Sequence, residues 1–231
     1  MPDITFAGVP AFLATPPVGE GPWPGVVVIH EVFGVIDDIR KHTSRIAAAG
    51  YVAIAPDLFR GRGAARCLLG TFRALSAGHG RQFDDIDAVR RALAARADCT
   101  GRVGVIGFCM GGGFALLTAA RGFDASAPNY ARLPKDVDGA LEGACPIVAS
   151  YGGRDRGLRG TAAKLEAALE RKGIEHDVKE YPNAGHSFLS PHPVGPLGPV
   201  LLRVAGIGYD QPSAEDAWKR IFSFFRAHLQ G

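Results

Sequence analysis

The chain has 231 residues, 47% of them hydrophobic, and its 26 Lys and Arg against 23 Asp and Glu leave a net charge of +3. This length and apolar content suit one α/β domain spanning 1–231 with a substantial core, while the small, scattered charge argues against a nucleic-acid partner. No apolar run approaches membrane-spanning length, and Met1-Pro2-Asp3 opens no signal-peptide pattern, so a cytoplasmic protein with no membrane partner is expected.

In chain order, Ile4–Phe6 and Ala11–Ala14 read as a short opening pair of strands, followed by a Pro/Gly-rich turn through Pro24. Gly25–His30 is a continuous apolar run of strand length, the pattern of a strand buried on both faces. Asp37 or Asp38 is placed to cap a helix that runs to Ala49 and stops at Gly50. Tyr51–Ala55 is a second buried strand, ended by Pro56-Asp57, and two helical stretches follow near Arg66–Ala77 and Gln82–Ala97. Arg102–Gly107 is the central strand and Met110–Ala120 its helix; Ala125–Ala127 reads as a short strand and Pro146–Tyr151 as a clear one. Thr161–Arg171 is helical, Asp177–Tyr181 is the last strand, and Ser213 caps a final helix with Trp218, Ile221, Phe222, Phe225 and Leu229 as its apolar stripe. Repeated strand–helix alternation predicts a mostly parallel sheet with helices on both faces.

The chemistry centres on Gly107-Phe108-Cys109-Met110-Gly111, between the central strand and its helix. This is the strand–nucleophile–helix pattern Gly-x-Nu-x-Gly with Cys in the nucleophile's place. A nucleophile standing clear of the strand end needs a strained turn, and strand and helix then approach so closely that side chains at 107 and 111 would collide. The helix start also aims its unpaired N–H groups and positive dipole end at the sulfur. A buried, inert Cys in a glycine-rich chain is the bland alternative. A phosphate-binding turn does not fit, because no Gly-x-Gly-x-x-Gly spans the junction and no Gly-Lys-Ser/Thr follows. The other cysteines, Cys67, Cys99 and Cys145, form no Cys-x-x-Cys pair, and His30-Glu31 lacks a second His four residues on, so no metal and no cofactor is expected.

A covalent acyl-transfer enzyme needs a base for its nucleophile and an acid to orient that base, and in such sheets these groups gather at the carboxyl ends of strands. Asp155 follows the strand 146–151 and His186 follows the strand 177–181. The order nucleophile, acid, His is that of α/β-hydrolases. Asp57 precedes the nucleophile and reads as a turn cap, and Asp177 falls inside a strand. Glu31, at the end of the strand 25–30, falls on the same edge; the N–H groups of Val32 and Met110 are the candidate oxyanion donors.

These residues resemble the dienelactone hydrolases, a cysteine-nucleophile branch of the α/β-hydrolase fold. The likeness runs through Glu31-Val32-Phe33-Gly34, Ala55-Pro56-Asp57-Leu58-Phe59, Gly107-Phe108-Cys109-Met110-Gly111-Gly112, Gly152-Gly153-Arg154-Asp155 and Ala184-Gly185-His186-Ser187-Phe188. The resemblance implies Cys109 as nucleophile, His186 as base, Asp155 as its orienter, and Glu31 in contact with the resting thiol, helping to hand on its proton. Members that hydrolyse dienelactone hold its carboxylate with an arginine four residues after the catalytic His, and here that position is Ser190. A second family arginine has Arg62, Arg66 and Arg73 as possible counterparts. The stretch 191–212 looks expanded, with Leu197, Val200, Leu201, Leu202 and Val204 able either to cover the site as a lid or to pack on themselves.

The expectation is therefore a hydrolase that cleaves a small-molecule ester or lactone through a Cys109 thioester. Its rivals are a carboxylesterase or thioesterase acting on a neutral substrate, and a non-catalytic hydrolase-fold binding protein. A thiol redox sensor lacks an obvious resolving cysteine.

Overall fold

Apolar runs without polar alternation form strands only if both faces are covered, and the central runs of this chain meet that condition. The structure, a computed structural model, describes residues 4–191 and 208–230. Eight strands form one sheet: β1 (Ile4–Phe6), β2 (Val9–Ala14), β3 (Trp23–Ile29), β4 (Val52–Pro56), β5 (Cys99–Phe108), β6 (Ala125–Asn129), β7 (Ile147–Gly152) and β8 (His176–Tyr181). Their order is β1-β2-β4-β3-β5-β6-β7-β8. Strands β3 to β8 are mutually parallel, and β1 and β2 are antiparallel additions at one edge. The helices described are α1 (Asp37–Ala48), α2 (Ala64–Ala77), α3 (Arg81–Ala94), α4 (Met110–Thr118), α5 (Val137–Ala140), α6 (Thr161–Lys172) and α7 (Gln211–Leu229).

Alternate residues of β3 feed two cores. Val26 and Val28 of β3 join Ile39 and Ile46 of α1, Leu165 of α6 and Trp218, Ile221 and Phe225 of α7. Val27 and Ile29 join Phe83, Ile86, Val89 and Leu93 of α3. Each such large side chain contributes about 1.5–3 kcal/mol relative to exposure, so the sheet is held from both sides. Register does the rest. Ile29 pairs with Gly107, Phe108 with Asn129, Asn129 with Ser150 and Gly152 with Tyr181, which aligns the carboxyl ends of β3, β5, β6, β7 and β8 along one edge.

Three local expectations are corrected. Helix α1 has Ile36 at its N-cap without a side-chain bond, and Asp37 and Asp38 sit inside its first turn, where their charge still favours the dipole. Helix α7 starts earlier than expected, because Asp210 rather than Ser213 is the cap: its carboxylate accepts the Ser213 N–H at 3.2 Å, with a proline in the first turn. Strand β6 runs two residues past Ala127, through Pro128 and Asn129, as its parallel pairing with β5 holds to the end. The apolar segment considered as a lid, Leu197 to Val204, lies outside the described residues. On either side of it the chain is tied to one loop: the Gly208 N–H donates to the His186 carbonyl at 2.9 Å and the Asp210 N–H to that of Phe188 at 3.2 Å.

Candidate active site

At the end of β5 the backbone turns sharply into α4, and Cys109 occupies that turn with φ 54°, a left-handed value unusual for a residue with a Cβ. The strain is held by hydrogen bonds on both sides: the Cys109 N–H donates to the Asn129 carbonyl at 3.2 Å, and its own carbonyl accepts from Gly113 at 3.2 Å. Steric contacts explain the surrounding glycines. A Cβ on Gly107 would fall on the Gly111 carbonyl, and one on Gly111 would meet the carbonyls of Ile29 and His30. A Cβ on Gly112 would approach the Asn129 carbonyl at 2.5 Å. The turn is thus wedged between β3 and β6, and its sulfur sits at the start of α4.

Asp155 follows β7, and its two carboxylate oxygens divide the work. Oδ1 accepts the Gly157 N–H at 3.0 Å, capping the single 3-10 turn Arg156–Leu158, while Oδ2 faces His186 Nδ1 at 2.5 Å. One carboxylate thus serves both as turn cap and as the partner of the histidine. The loops carrying the pair are laced together, with the Gly153 N–H on the Tyr181 carbonyl at 2.8 Å and the Arg154 N–H on that of Ala184 at 2.9 Å. A Cβ on Gly152 would strike the backbone of Gly185.

With Nδ1 committed to Asp155, the other ring nitrogen of His186 is left for its hydrogen bond with the Cys109 sulfur. Burial pulls the imidazole pKa down, but the hydrogen bonds to Asp155 and Cys109 outweigh it and push it up to about 10. The ring is accordingly held as a cation at neutral pH, within reach of the thiol. Residues 109, 155 and 186 therefore meet in space in the order nucleophile candidate, imidazole, carboxylate.

Glu31 lies two residues past the end of β3 and is buried. Its backbone is fixed by His30, whose Nδ1 faces the Glu31 carbonyl at 2.6 Å while Nε2 accepts the Leu58 N–H at 3.1 Å. Burial lowers the pKa of His30, so this strut stays neutral. The Glu31 carboxylate accepts a hydrogen bond from the Tyr130 hydroxyl at 3.2 Å. Val32 and Met110 each stand three residues beyond a partner of the Ile29–Gly107 register pair, which brings the two N–H groups to neighbouring strand ends. Met110 is the first residue of α4, where an N–H has no intrahelical acceptor. Asp57 behaves as the turn cap expected, its oxygens accepting the N–H groups of Phe59 at 2.9 Å and Gly61 at 2.6 Å.

Ser190 is fully buried, and its hydroxyl lies 3.0 Å from His42 Nε2 and hydrogen-bonds the Tyr130 oxygen. Two of the three candidate arginines, Arg62 and Arg66, line a cavity of about 330 Å³ with Cys67, Gly70, Arg81 and Gln82, none of which belongs to the Cys109–His186 group. Tyr130 and His42 escaped the sequence reading. Stopping β6 at Ala127 left Tyr130 off the edge where strand ends converge; carried to Asn129, the same positional logic would have found it. No helix among the described residues is long and apolar enough to cross a membrane.

Residues 9–229 match the model of the dienelactone hydrolase family. The carboxymethylenebutenolidase of Rhodococcus opacus is 31% identical over 96% of this chain and 87% of its own length. Among solved structures, a dienelactone hydrolase-like promiscuous phosphotriesterase from metagenomic libraries superposes with a TM-score of 0.77 at 23% identity, covering 95% of this chain and 92% of that one. The dienelactone hydrolase of Anabaena variabilis gives 0.66 at 21% identity, covering 95% and 91%. Both share the α/β-hydrolase architecture of this sheet. On its sequence the chain belongs to the dienelactone hydrolase family and is a carboxylic ester hydrolase acting on esters or lactones.

Proposed function

We propose that the chain hydrolyses a neutral, moderately apolar ester or lactone through a covalent Cys109 thioester. The observation that carries this reading is the hydrogen-bonded line Cys109–His186–Asp155, assembled from three separate strand ends. The sulfur attacks the substrate carbonyl, and the N–H groups of Val32 and Met110 bind the oxyanion that forms. The cationic His186 stabilises negative charge on sulfur and gives its proton to the departing alkoxide. Now neutral, His186 takes a proton from water, the hydroxide attacks the thioester carbonyl, and the thiol is regenerated as the acid leaves. Asp155 holds the imidazole in one orientation throughout. Glu31 holds the proton that the thiol sheds when substrate arrives and returns it to the thiolate released in the last step.

The neutral substrate follows from what surrounds the site. A buried carboxylate needs a charge-assisted partner, best an arginine. The position that carries one in dienelactone-cleaving relatives holds Ser190, whose hydroxyl is engaged inside the protein.

The test is to trap the intermediate. Incubation with a short p-nitrophenyl ester and rapid acid quench should add the acyl mass to the peptide containing Cys109, and iodoacetamide labelling of that peptide should abolish turnover in proportion. Cys67 and Cys99 are buried, and burial pushes the Cys145 thiol up to about 12, so they should label far more slowly. Full activity in the labelled protein would overturn the assignment.

A further inference from the structure

Four polar side chains from distant parts of the chain meet beside the site. Tyr130 donates its hydroxyl proton to Glu31 at 3.2 Å. A phenol has one proton, so the hydrogen bond between Tyr130 and Ser190 must be donated by the serine. Ser190 also has one proton, so its contact with His42 Nε2 at 3.0 Å is donated by the imidazole N–H. The chain of donors has a single sense: His42, Ser190, Tyr130, Glu31. Each end is anchored, with His42 stacked on Phe108 at 4.6 Å, immediately before Cys109, and Glu31 two residues past β3.

Tyr130 is built into this place at a cost. Its backbone has φ 41°, in the left-handed region, and is held there by its N–H on the Ser150 carbonyl at 2.8 Å. Its ring lies against His186, with centroids 5.2 Å apart, and against Phe188 at 5.8 Å. Burial and the Glu31 charge push its phenol well above the usual range, which keeps it a donor.

We infer that Tyr130 is a positioning residue for Glu31, and that Ser190 and His42 exist to aim its hydroxyl. The inference rests on the role proposed for Glu31. It also reassigns Ser190: the serine in the arginine's place completes an internal hydrogen-bond chain rather than greeting the substrate. A carboxylate with an aimed donor is fixed in orientation and ionises more readily than one without. Among the described residues, Tyr130 faces this carboxylate, Cys109 and His186 lie by Tyr130, His30 and Asp57 stand behind the Glu31 backbone, and His42 is at the far end of the chain.

Tyr130→Phe keeps the ring and removes the donor. It should lower kcat/KM about 10- to 100-fold, the range for a hydrogen bond to a charged group, and move the acidic limb of the pH profile to higher pH. Ser190→Ala leaves the phenol in place but unaimed, and should shift both quantities in the same direction by less. In a Glu31→Gln background, Tyr130→Phe should have no further effect, because the carboxylate that it positions is gone. Multiplying, independent effects of the two substitutions, or an unmoved acidic limb in a folded Tyr130→Phe, would overturn the inference. Cys109→Ala separates the two readings. If it retains turnover, the proposed nucleophile is wrong; if it is inactive while Tyr130→Phe and Ser190→Ala match wild type, the role of Tyr130 alone is wrong.

Discussion

Asp155→Asn isolates the electrostatic part of the His186 arrangement. Asparagine keeps an oxygen for the Gly157 N–H, so the cap and the loop are preserved while the charge facing the imidazole is removed. The rise of His186 from 6.5 to about 10 corresponds to about 5 kcal/mol of preference for the imidazolium, achieved against burial. Asp155 supplies part of that effect, and losing a hydrogen bond to a charged group costs about 1.5–3 kcal/mol, or roughly 10²-fold in any step that needs the imidazolium. kcat/KM for a p-nitrophenyl ester should fall by about that factor, and the imidazole followed by NMR should titrate about two units lower. Stability has a matching signature. A folded pKa above the unfolded one stabilises fully below pH 6.5 and is lost as pH rises toward 10, so wild type should lose stability across that window and Asp155→Asn much less. An Asn variant with kcat/KM within about threefold of wild type and an unchanged His186 titration would refute the reasoning.

Gly107→Ala places a methyl group on the Gly111 carbonyl, which no side-chain rotation relieves; soluble, folded protein should be scarce, and any that forms should have lost turnover through a displaced Cys109. Wild type should prefer neutral p-nitrophenyl esters or lactones over a carboxylate-bearing dienelactone by roughly 10²-fold in kcat/KM, since Ser190 offers no cation. The reverse preference, measured side by side, would mean that an arginine such as Arg62, Arg66 or Arg73 has taken over that role.

The parts of the fold that were readable in the sequence are those in which a residue's own chemistry fixes its local structure. Val26 to Ile29 cannot lie on a surface, Gly107 and Gly111 cannot be anything larger, and Asp155 and His186 follow strands whose ends must share an edge. What escaped depends on partners far along the chain. Pro128 and Asn129 look like strand breakers, yet β6 is carried through them by pairing with β5, and Tyr130 was lost with them. Nothing near Ser190 signals that it will meet His42, 148 positions away, so its departure from the family pattern read as an absence and not as a replacement. The helix starts missed at α1 and α7 were decided among adjacent acidic and hydroxyl residues, any of which has the chemistry to cap.

The wedged turn at Cys109 has a consequence for assembly. Its three glycines are fitted against backbone carbonyls contributed by β3, by β6 and by the turn itself, and the sulfur is presented only while all of these surfaces are in place. A partly built sheet, however rich in native secondary structure, has nothing to hold the cysteine at φ 54° and leaves it an ordinary thiol. Catalysis thus appears in a single step with the closing of the sheet's centre, and recovery of turnover after dilution from denaturant times that one event, separately from the helices that circular dichroism would see first.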